Sequence, residues 1–162
     1  MRLLVLDVDG VMTDGRLDYG AEGERGKTFH VRDGYGIKSL LAAGFEVAVI
    51  SGRQSPAAQR RCQELGIRHV LLGAGDKGAA LSGLLAALRL QRTDCICVGD
   101  DEPDVAMLRL AGLAVAVANA HPTALAVAHR RTRHRGGEGA VREVCDWLLA
   151  ARERGGQRRG RR

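Results

Sequence analysis

LLVLDVDGVMTDG, residues 3–15, is the stretch that indicates the fold of this chain. Its first four residues form a short, continuous apolar run, which is typical of a strand buried on both faces of a parallel sheet. Two carboxylates, Asp7 and Asp9, follow directly, and Gly10 then lets the backbone turn away. Because open α/β sheets bind ligands at the carboxyl ends of their strands, Asp7 and Asp9 are predicted to lie in a functional site.

Apolar runs of the same kind recur along the chain and alternate with helical stretches. The further predicted strands are 46–50, 70–72, 95–98 and 113–117. The predicted helices are 36–43, 55–65, 76–90, 101–110, 121–128 and 140–152. Strands that alternate with helices of this length predict a three-layer, Rossmann-like α/β domain around a central parallel sheet.

One segment, residues 12–31, breaks this alternation. It contains two short alternating runs on either side of the polar, glycine-rich GAEGERGK, and this pattern predicts a β-hairpin that projects beside the first strand. No other insertion is long enough to form a second domain. We therefore expect a single domain over residues 1–151 without a cap domain.

The charge of the chain is concentrated at its end. The 162 residues carry a net charge of +6, and residues 152–162 hold six arginines and one glutamate, a net +5. A segment without apolar residues cannot offset its ordering entropy by burial, so residues 152–162 are predicted to be a disordered tail. Because no aromatic residue is interleaved with the arginines, a solubilising tail is favoured over a nucleic-acid arm, which stays the alternative.

The cysteines and the apolar runs bear on the location of the protein. The four cysteines form no CxxC pair, which favours reduced thiols in a cytosolic protein over a metal site. The apolar run 3–6 is too short for a signal peptide or a membrane helix. We expect a cytoplasmic protein without a membrane partner.

Two further motifs follow later predicted strands. In SGR, residues 51–53, the Ser51 hydroxyl and the backbone N–H groups can hold a phosphate oxygen, and Gly52 allows close approach. In GAGDKGAA, residues 73–80, Lys77 lies at the start of a helix and can neutralise a phosphoryl group and an attacking carboxylate. Taken alone, Ser51 could be a turn residue and Lys77 a surface lysine.

GDDEPD, residues 99–104, is the most informative of the later motifs. Its three aspartates, at the end of a strand, form an oxygen cluster that suits Mg²⁺. Helix capping by Asp101 and Asp104 is the alternative, and it is compatible with a metal site. Asp100, the carboxylate nearest the strand, is the best candidate ligand.

Asp7 and Asp9 can divide the labour of a phosphoryl transfer. One carboxylate attacks phosphorus, while the other donates a proton to the leaving oxygen and later takes a proton from water. As a nucleophile, Asp7 needs no activating base, because an aspartate is already ionised at neutral pH. An Asp-rich turn without chemistry is the alternative. An EF-hand calcium loop is excluded because Val11 and Met12 occupy positions that require an oxygen ligand and a glycine.

DxDG, SGR, a lysine that begins a helix, and GDDxxD occur in this order, each after its own predicted strand. In this combination the chain resembles the haloacid dehalogenase superfamily. Longer stretches, from DVDGVMTDGRLDY near the start to GGEGAVREVCDWLL near the end, resemble its capless 3-deoxy-D-manno-octulosonate 8-phosphate phosphatase group. The resemblance extends from about Arg2 to Leu149. It implies a Mg²⁺-dependent phosphomonoesterase that acts through a phosphoaspartate.

The resemblance also implies a role for each motif residue. Asp7 would be the nucleophile and Asp9 the general acid/base, and the metal would be held by Asp7, the Asp9 carbonyl and Asp100. Ser51 and Lys77 would bind the phosphate. The residues implied to orient the metal site are Asp101 and Asp104, and those implied to bind substrate are Gly52, Arg53, Arg61 and Arg142, the last two through the sugar-acid carboxylate.

The chain departs from the family pattern at two places. Asn119 stands where the family usually has an aspartate, and Ser51 replaces the commoner threonine. The implied substrate is an eight-carbon sugar-acid phosphate of lipopolysaccharide precursor synthesis. A nine-carbon, sialic-acid-type phosphate is the alternative, and a non-catalytic or nucleic-acid-binding relative is a further one. The resemblance implies a homotetramer in which the hairpin and C-terminal segment of neighbouring subunits close each site.

Overall fold

The computed structural model describes residues 1–159, and for residues 155–159 it describes the backbone alone. The strands are β1 (Leu3–Leu6), β2 (Asp18–Gly20), β3 (Gly23–Gly26), β4 (Glu46–Ser51), β5 (His69–Leu72), β6 (Cys95–Gly99), β7 (Leu113–Ala116) and β8 (Arg130–Arg131). The α-helices are α1 (Val31–Ala42), α2 (Pro56–Leu65), α3 (Lys77–Leu88), α4 (Val105–Leu110), α5 (Pro122–Val127) and α6 (Ala140–Arg159). The predicted alternation of strands and helices is confirmed.

Six of the strands form one parallel sheet in the order β5-β4-β1-β6-β7-β8. Strand β1 lies between β4 and β6, and all four of its side chains are buried. Helices α1 and α6 pack on each other in one layer, and α3 packs on α4 in the other. The residues that follow β1 therefore leave the sheet at its centre, between the ends of β4 and β6.

Helix α1 begins at Val31, so the prediction that it begins at residue 36 is wrong. Gly34 and Gly36 in its first turns lower the helix propensity of this stretch. A Cβ atom at Gly36 would lie 3.0 Å from Arg142 Cδ and 3.1 Å from Cys145 Cβ on α6. The glycines allow α6 to pack closely on α1, and this packing outweighs their low propensity.

The hairpin is confirmed, but it is shorter than residues 12–31. Tyr19 of β2 pairs with Glu24 of β3, and Gly20 pairs with Gly23. The residues before β2 include part of the tight turn Val8–Met12, and the last residue of the predicted segment already belongs to α1. The two strands form a separate sheet that does not join the main one.

Helix α6 continues to Arg159, past residue 152, where the sequence predicted its end. Arginine and glutamate are good helix formers, and a helix already packed on α1 can extend through them. Residues 160–162 of the predicted tail lie outside the described residues, and disorder of the tail stays a prediction.

All four cysteines are buried free thiols. Among residues 1–159, no helix combines the length and the apolar character needed to cross a membrane.

Candidate active site

A cavity of about 300 Å³ opens at the carboxyl edge of the main sheet, around the end of β1. Most of the residues that sequence analysis selected line it. They are Asp7, Asp9, Ser51, Gly52, Arg53, Lys77, Asp100, Asp101 and Asp104. Gly15, Leu17 and Pro103 complete the lining. The structure thus brings together four motifs that are far apart in the sequence.

The turn after β1 places the first two carboxylates. The backbone N–H of Asp7 donates to the Val98 carbonyl at 3.1 Å, which continues the pairing of β1 with β6. The chain then turns at Gly10, whose φ of 92° lies in the region that favours glycine. A Cβ atom on Gly10 would lie 2.0 Å from Asp100 Oδ2, so the turn needs glycine for the Asp100 carboxylate as well.

Lys77 joins two of these carboxylates. Its Nζ donates to Asp7 Oδ1 at 2.6 Å and to Asp104 Oδ1 at 2.5 Å, and its side chain is only 5% exposed. Asp104 Oδ2 accepts from the backbone N–H groups of Asp100 at 2.8 Å and Asp101 at 3.3 Å. Both oxygens of Asp104 are thus occupied, and this residue holds Lys77 and the GDDEPD turn in place.

The negative charge of the cavity exceeds the charge that Lys77 supplies. Carboxylate oxygens of Asp7, Asp100 and Asp104 lie within 4.8 Å of one another. Burial, reinforced by Asp104, raises the pKa of Asp7 to about 7 despite the contact with Lys77. Burial, reinforced by Asp7 and Asp104, raises the pKa of Asp100 to about 8. The expectation that Asp7 ionises with an ordinary aspartate pKa is therefore wrong for the protein without a further cation.

This donor set fits a divalent cation. Carboxylate oxygens are the ligands that Mg²⁺ prefers, and a bound cation would offset the charge that raises these pKa values. Asp7 and Asp100 are the side chains best placed to hold it, because the oxygens of Asp104 already accept from Lys77 and two backbone N–H groups.

The SGR motif lies across the cavity at the end of β4. Ser51 is 2% exposed, and its hydroxyl accepts the backbone N–H of Arg53 at 3.3 Å, which leaves its own proton to donate. Arg53 Nη2 donates to Tyr19 Oη at 2.7 Å, and Arg53 Nε lies 3.6 Å from Asp9 Oδ2. Arg53 therefore links the SGR motif, the hairpin and the carboxylate of Asp9.

Sequence analysis missed Lys27 and Glu24, which the hairpin brings to the site. Lys27 Nζ lies 2.5 Å from Asp9 Oδ1 and 3.2 Å from Glu24 Oε2. Glu24 Oε1 accepts from the Ser55 hydroxyl at 2.5 Å, and its Oε2 lies 3.4 Å from Arg53 Nη2. Both residues belong to GAEGERGK, the polar stretch of the predicted hairpin, and the signal of a role was that this hairpin was predicted to project beside the first strand.

Two predicted substrate-binding residues, Arg61 and Arg142, do not line the cavity within one chain. Arg61 lies against the Phe29 ring, with its Cζ 5.9 Å from the ring centroid, and pairs with Glu64 at 3.6 Å. Arg142, near the start of α6, donates to Asp146 at 2.8 Å. Together with Trp147 it lines a separate cavity.

Asn119, one of the departures from the family pattern, supports the DxDG turn from behind. Its Oδ1 accepts the backbone N–H of Gly136 at 2.9 Å. A Cβ atom on Gly136 would lie 1.6 Å from the Gly10 carbonyl oxygen, so this loop rests directly on the turn. An aspartate offers the same acceptor oxygen, and the replacement by asparagine keeps this contact.

Comparison with known proteins agrees with this geometry. A family model for haloacid dehalogenase-like hydrolases matches residues 70–144. The chain is 47% identical over 154 residues to the 3-deoxy-D-manno-octulosonate 8-phosphate phosphatase of Yersinia pestis, covering 95% of this chain and 82% of that one. The chain belongs to this phosphatase family. The resemblance inferred from the motifs is thereby confirmed.

Solved structures of this phosphatase family share the fold over most of this chain. A Moraxella catarrhalis member in complex with magnesium, phosphate and the free sugar acid is 42% identical, with a TM-score of 0.90 over 93% of this chain and 87% of that one. A cobalt-bound Haemophilus influenzae member is 40% identical, with a TM-score of 0.91 over 93% of this chain and 88% of that one. This chain therefore has the α/β fold of the phosphatase family.

Proposed function

We propose that the protein hydrolyses 3-deoxy-D-manno-octulosonate 8-phosphate to the free sugar acid and phosphate, in lipopolysaccharide precursor synthesis. The observation that carries this proposal is the cavity at the end of β1, where Asp7, bonded to Lys77 at 2.6 Å, lies with Asp9 and Asp100. The identity to named phosphatases over nearly the whole chain supports the substrate. The magnesium, phosphate and sugar acid bound by the Moraxella catarrhalis member support the reaction class.

The reaction has two steps. Asp7 attacks phosphorus, the bond from phosphorus to the sugar oxygen breaks, and its electron pair goes to that oxygen, which takes a proton from Asp9. Asp9 then takes a proton from a water molecule that attacks the phosphoaspartate, which releases phosphate and restores Asp7. Asp9 can serve both steps because it lines the same cavity as Asp7.

The surrounding residues provide charge and position. When held by Asp7, the Asp9 carbonyl and Asp100, Mg²⁺ neutralises charge on the phosphoryl oxygens and favours the ionised nucleophile. Lys77 adds a positive charge beside Asp7, and Ser51 can donate its hydroxyl proton to a phosphoryl oxygen.

The substrate's sugar body needs a polar environment beside the phosphate site. Arg53 supports this part of the proposal, because it lines the cavity and its guanidinium suits a carboxylate or a hydroxyl-rich sugar. Arg61 and Arg142 can serve only if they face the site of another subunit.

We further propose a homotetramer in the cytoplasm. Exposed apolar side chains on the hairpin and α1 support assembly, since large apolar side chains in contact with water favour burial at an interface. They include Leu17 and Tyr19 on the hairpin side, and Val31 and Tyr35 on α1.

A comparison of three phosphate esters tests the substrate. The purified protein with Mg²⁺ is given the eight-carbon sugar-acid 8-phosphate, a nine-carbon sugar-acid 9-phosphate and p-nitrophenyl phosphate. We expect kcat/KM for the eight-carbon ester to exceed that for p-nitrophenyl phosphate by at least roughly a hundredfold, because remote contacts lower the barrier.

Asp7→Asn is the control for contaminating phosphatases. Preference for the nine-carbon ester would assign the enzyme to the rival substrate. Equal, weak activity on both sugar-acid esters would contradict the substrate proposal while leaving the phosphatase chemistry intact.

A further inference from the structure

We infer that Lys27 is a positioning residue for the general acid/base, because it fixes one oxygen of Asp9 and leaves the other to exchange the proton with the leaving group. This inference rests on the phosphatase reaction proposed above. The residue directly follows β3 of the hairpin, and its ammonium group reaches Asp9 from outside the main sheet.

The two oxygens of Asp9 have different surroundings. Oδ1 accepts from Lys27 Nζ at 2.5 Å. Oδ2 makes no hydrogen bond among the described residues and faces Arg53 Nε at 3.6 Å. Because Lys27 already donates to Oδ1, Oδ2 is the oxygen left to carry the proton. Asp9 and Arg53 both line the cavity that the substrate would enter.

The burial of Lys27 strengthens its contact with Asp9 and restricts its movement. Its side chain is only 1% exposed, so its charge is not screened by water and its ammonium cannot move freely away from Asp9. Glu24 holds the same ammonium at 3.2 Å and is fixed in turn by the Ser55 hydroxyl at 2.5 Å. The side chain of Lys27 is thus anchored at both its charged contacts.

Lys27 also matches the change of charge during the first step. As the bond from phosphorus to the sugar oxygen breaks, the proton passes from Asp9 Oδ2 to that oxygen, and the neutral acid becomes a carboxylate. An ammonium group already bonded to Oδ1 stabilises this developing negative charge without any rearrangement. In the second step, Asp9 takes a proton back from water, so the acid is restored.

If Lys27 only anchored the hairpin through Glu24, its removal would have a different effect. Loss of an anchor would lower activity on every substrate alike. Loss of the positioned acid would lower activity most where the leaving oxygen needs a proton. An alkyl phosphate such as the sugar-acid 8-phosphate needs one, whereas p-nitrophenol leaves readily as an anion.

The test compares Lys27→Met with wild type on both esters through kcat/KM, which reports the first chemical step. Methionine keeps the length and apolar stem of lysine but removes its charge. We expect a loss of about tenfold to a hundredfold on the sugar-acid 8-phosphate, part of the full general-acid contribution, and less than about threefold on p-nitrophenyl phosphate. Lys38→Met, which removes an exposed lysine of α1, is the matched control and should match wild type on both.

Two further variants make the result decisive. In an Asp9→Asn background, Lys27→Met should cause no additional loss on the sugar-acid ester, because the residue acts through Asp9. If Lys27→Met does not fold, as judged by thermal unfolding, Lys27→Gln replaces it, and we expect the same difference between esters with a smaller loss.

Equal losses on the two esters, or full additivity with Asp9→Asn, would overturn the role of Lys27. Failure of the proposed function is a distinct result, because wild type itself would then lack activity on both esters.

Discussion

The stability of the metal-free protein is expected to fall as pH rises, which is the reverse of the behaviour of an ordinary salt-bridged aspartate. Burial and mutual repulsion raise the pKa of Asp7 from 3.8 to about 7 and that of Asp100 from 3.8 to about 8. Between pH 3.8 and these folded pKa values, the folded protein keeps protons that the unfolded chain has released. Stability is therefore full below the unfolded value of 3.8 and is lost as pH rises through the folded values.

The size of the effect follows from the range of pH over which each proton is kept. Between about pH 6 and about pH 8, Asp7 stays protonated in the folded protein over about one pH unit, and Asp100 over about two. Each proton held in this way lowers the free energy of unfolding by about 1.36 kcal/mol for every pH unit. The resulting figure, about 4 kcal/mol, is halved because the two carboxylates titrate as an interacting pair and Asp100 is partly exposed to solvent, which leaves about 2 kcal/mol. For a chain of this length we expect a melting temperature about 4 to 8 °C lower near pH 8.

Thermal unfolding in chelator, near pH 6 and near pH 8, measures this difference. Mg²⁺ should add more stability near pH 8 than near pH 6, because it binds the ionised carboxylates and competes with their protons. Asp100→Asn is the control, since an amide of the same shape cannot ionise and should remove more than about half of the pH dependence. A metal-free protein as stable near pH 8 as near pH 6 would refute the reasoning, because these carboxylates would then ionise without a cation.

Other expected outcomes concern the nucleophile, the loop behind it, the tail and the assembly. Asp7→Asn should abolish hydrolysis without unfolding the protein, and near wild-type turnover would exclude a phosphoaspartate. Gly136→Ala should destabilise the fold by about 1–3 kcal/mol, because its Cβ would lie 1.6 Å from the Gly10 carbonyl oxygen. Gly83→Ala on α3 is the control and should not destabilise the fold, because no atom lies within 4 Å of the added Cβ. Calorimetry of both variants measures the difference. Removal of residues 155–162 should leave kcat/KM within about twofold, and a large loss would show that the tail reaches a site. Light scattering should show a tetramer, and a fully active monomer would contradict that proposal.

The main sheet could be predicted from the sequence because its strands are continuous apolar runs. The run Leu3–Leu6 matches β1 at both ends, and the ends of the other predicted strands differ from the structure by at most one residue. Strand β8 was missed because it consists of two arginines at the edge of the sheet, where no apolar pattern exists. The early start of α1 was missed because its glycines are explained only by their contact with α6.

The site was predictable where a residue lies at the carboxyl end of a strand of the main sheet, because parallel strands bring these ends to one edge. Asp7 and Asp100 directly follow β1 and β6, and Ser51 is the last residue of β4. Lys27 does not follow such a strand, and its place depends on how the hairpin lies over the turn after β1. The raised pKa values were also missed, because they depend on burial and on neighbouring charges that only the packed structure defines.

The central position of β1 has a consequence for biosynthesis. Leu3 lies between Glu46 on one side and Cys95 on the other, so its second neighbour in the sheet is made about ninety residues after it. Until that segment has left the ribosome, the nascent chain carries an apolar strand with an unpaired edge. Asp7, which follows β1, is translated before Ser51, Lys77 and Asp100, so the nucleophile is made well before the residues that complete its site.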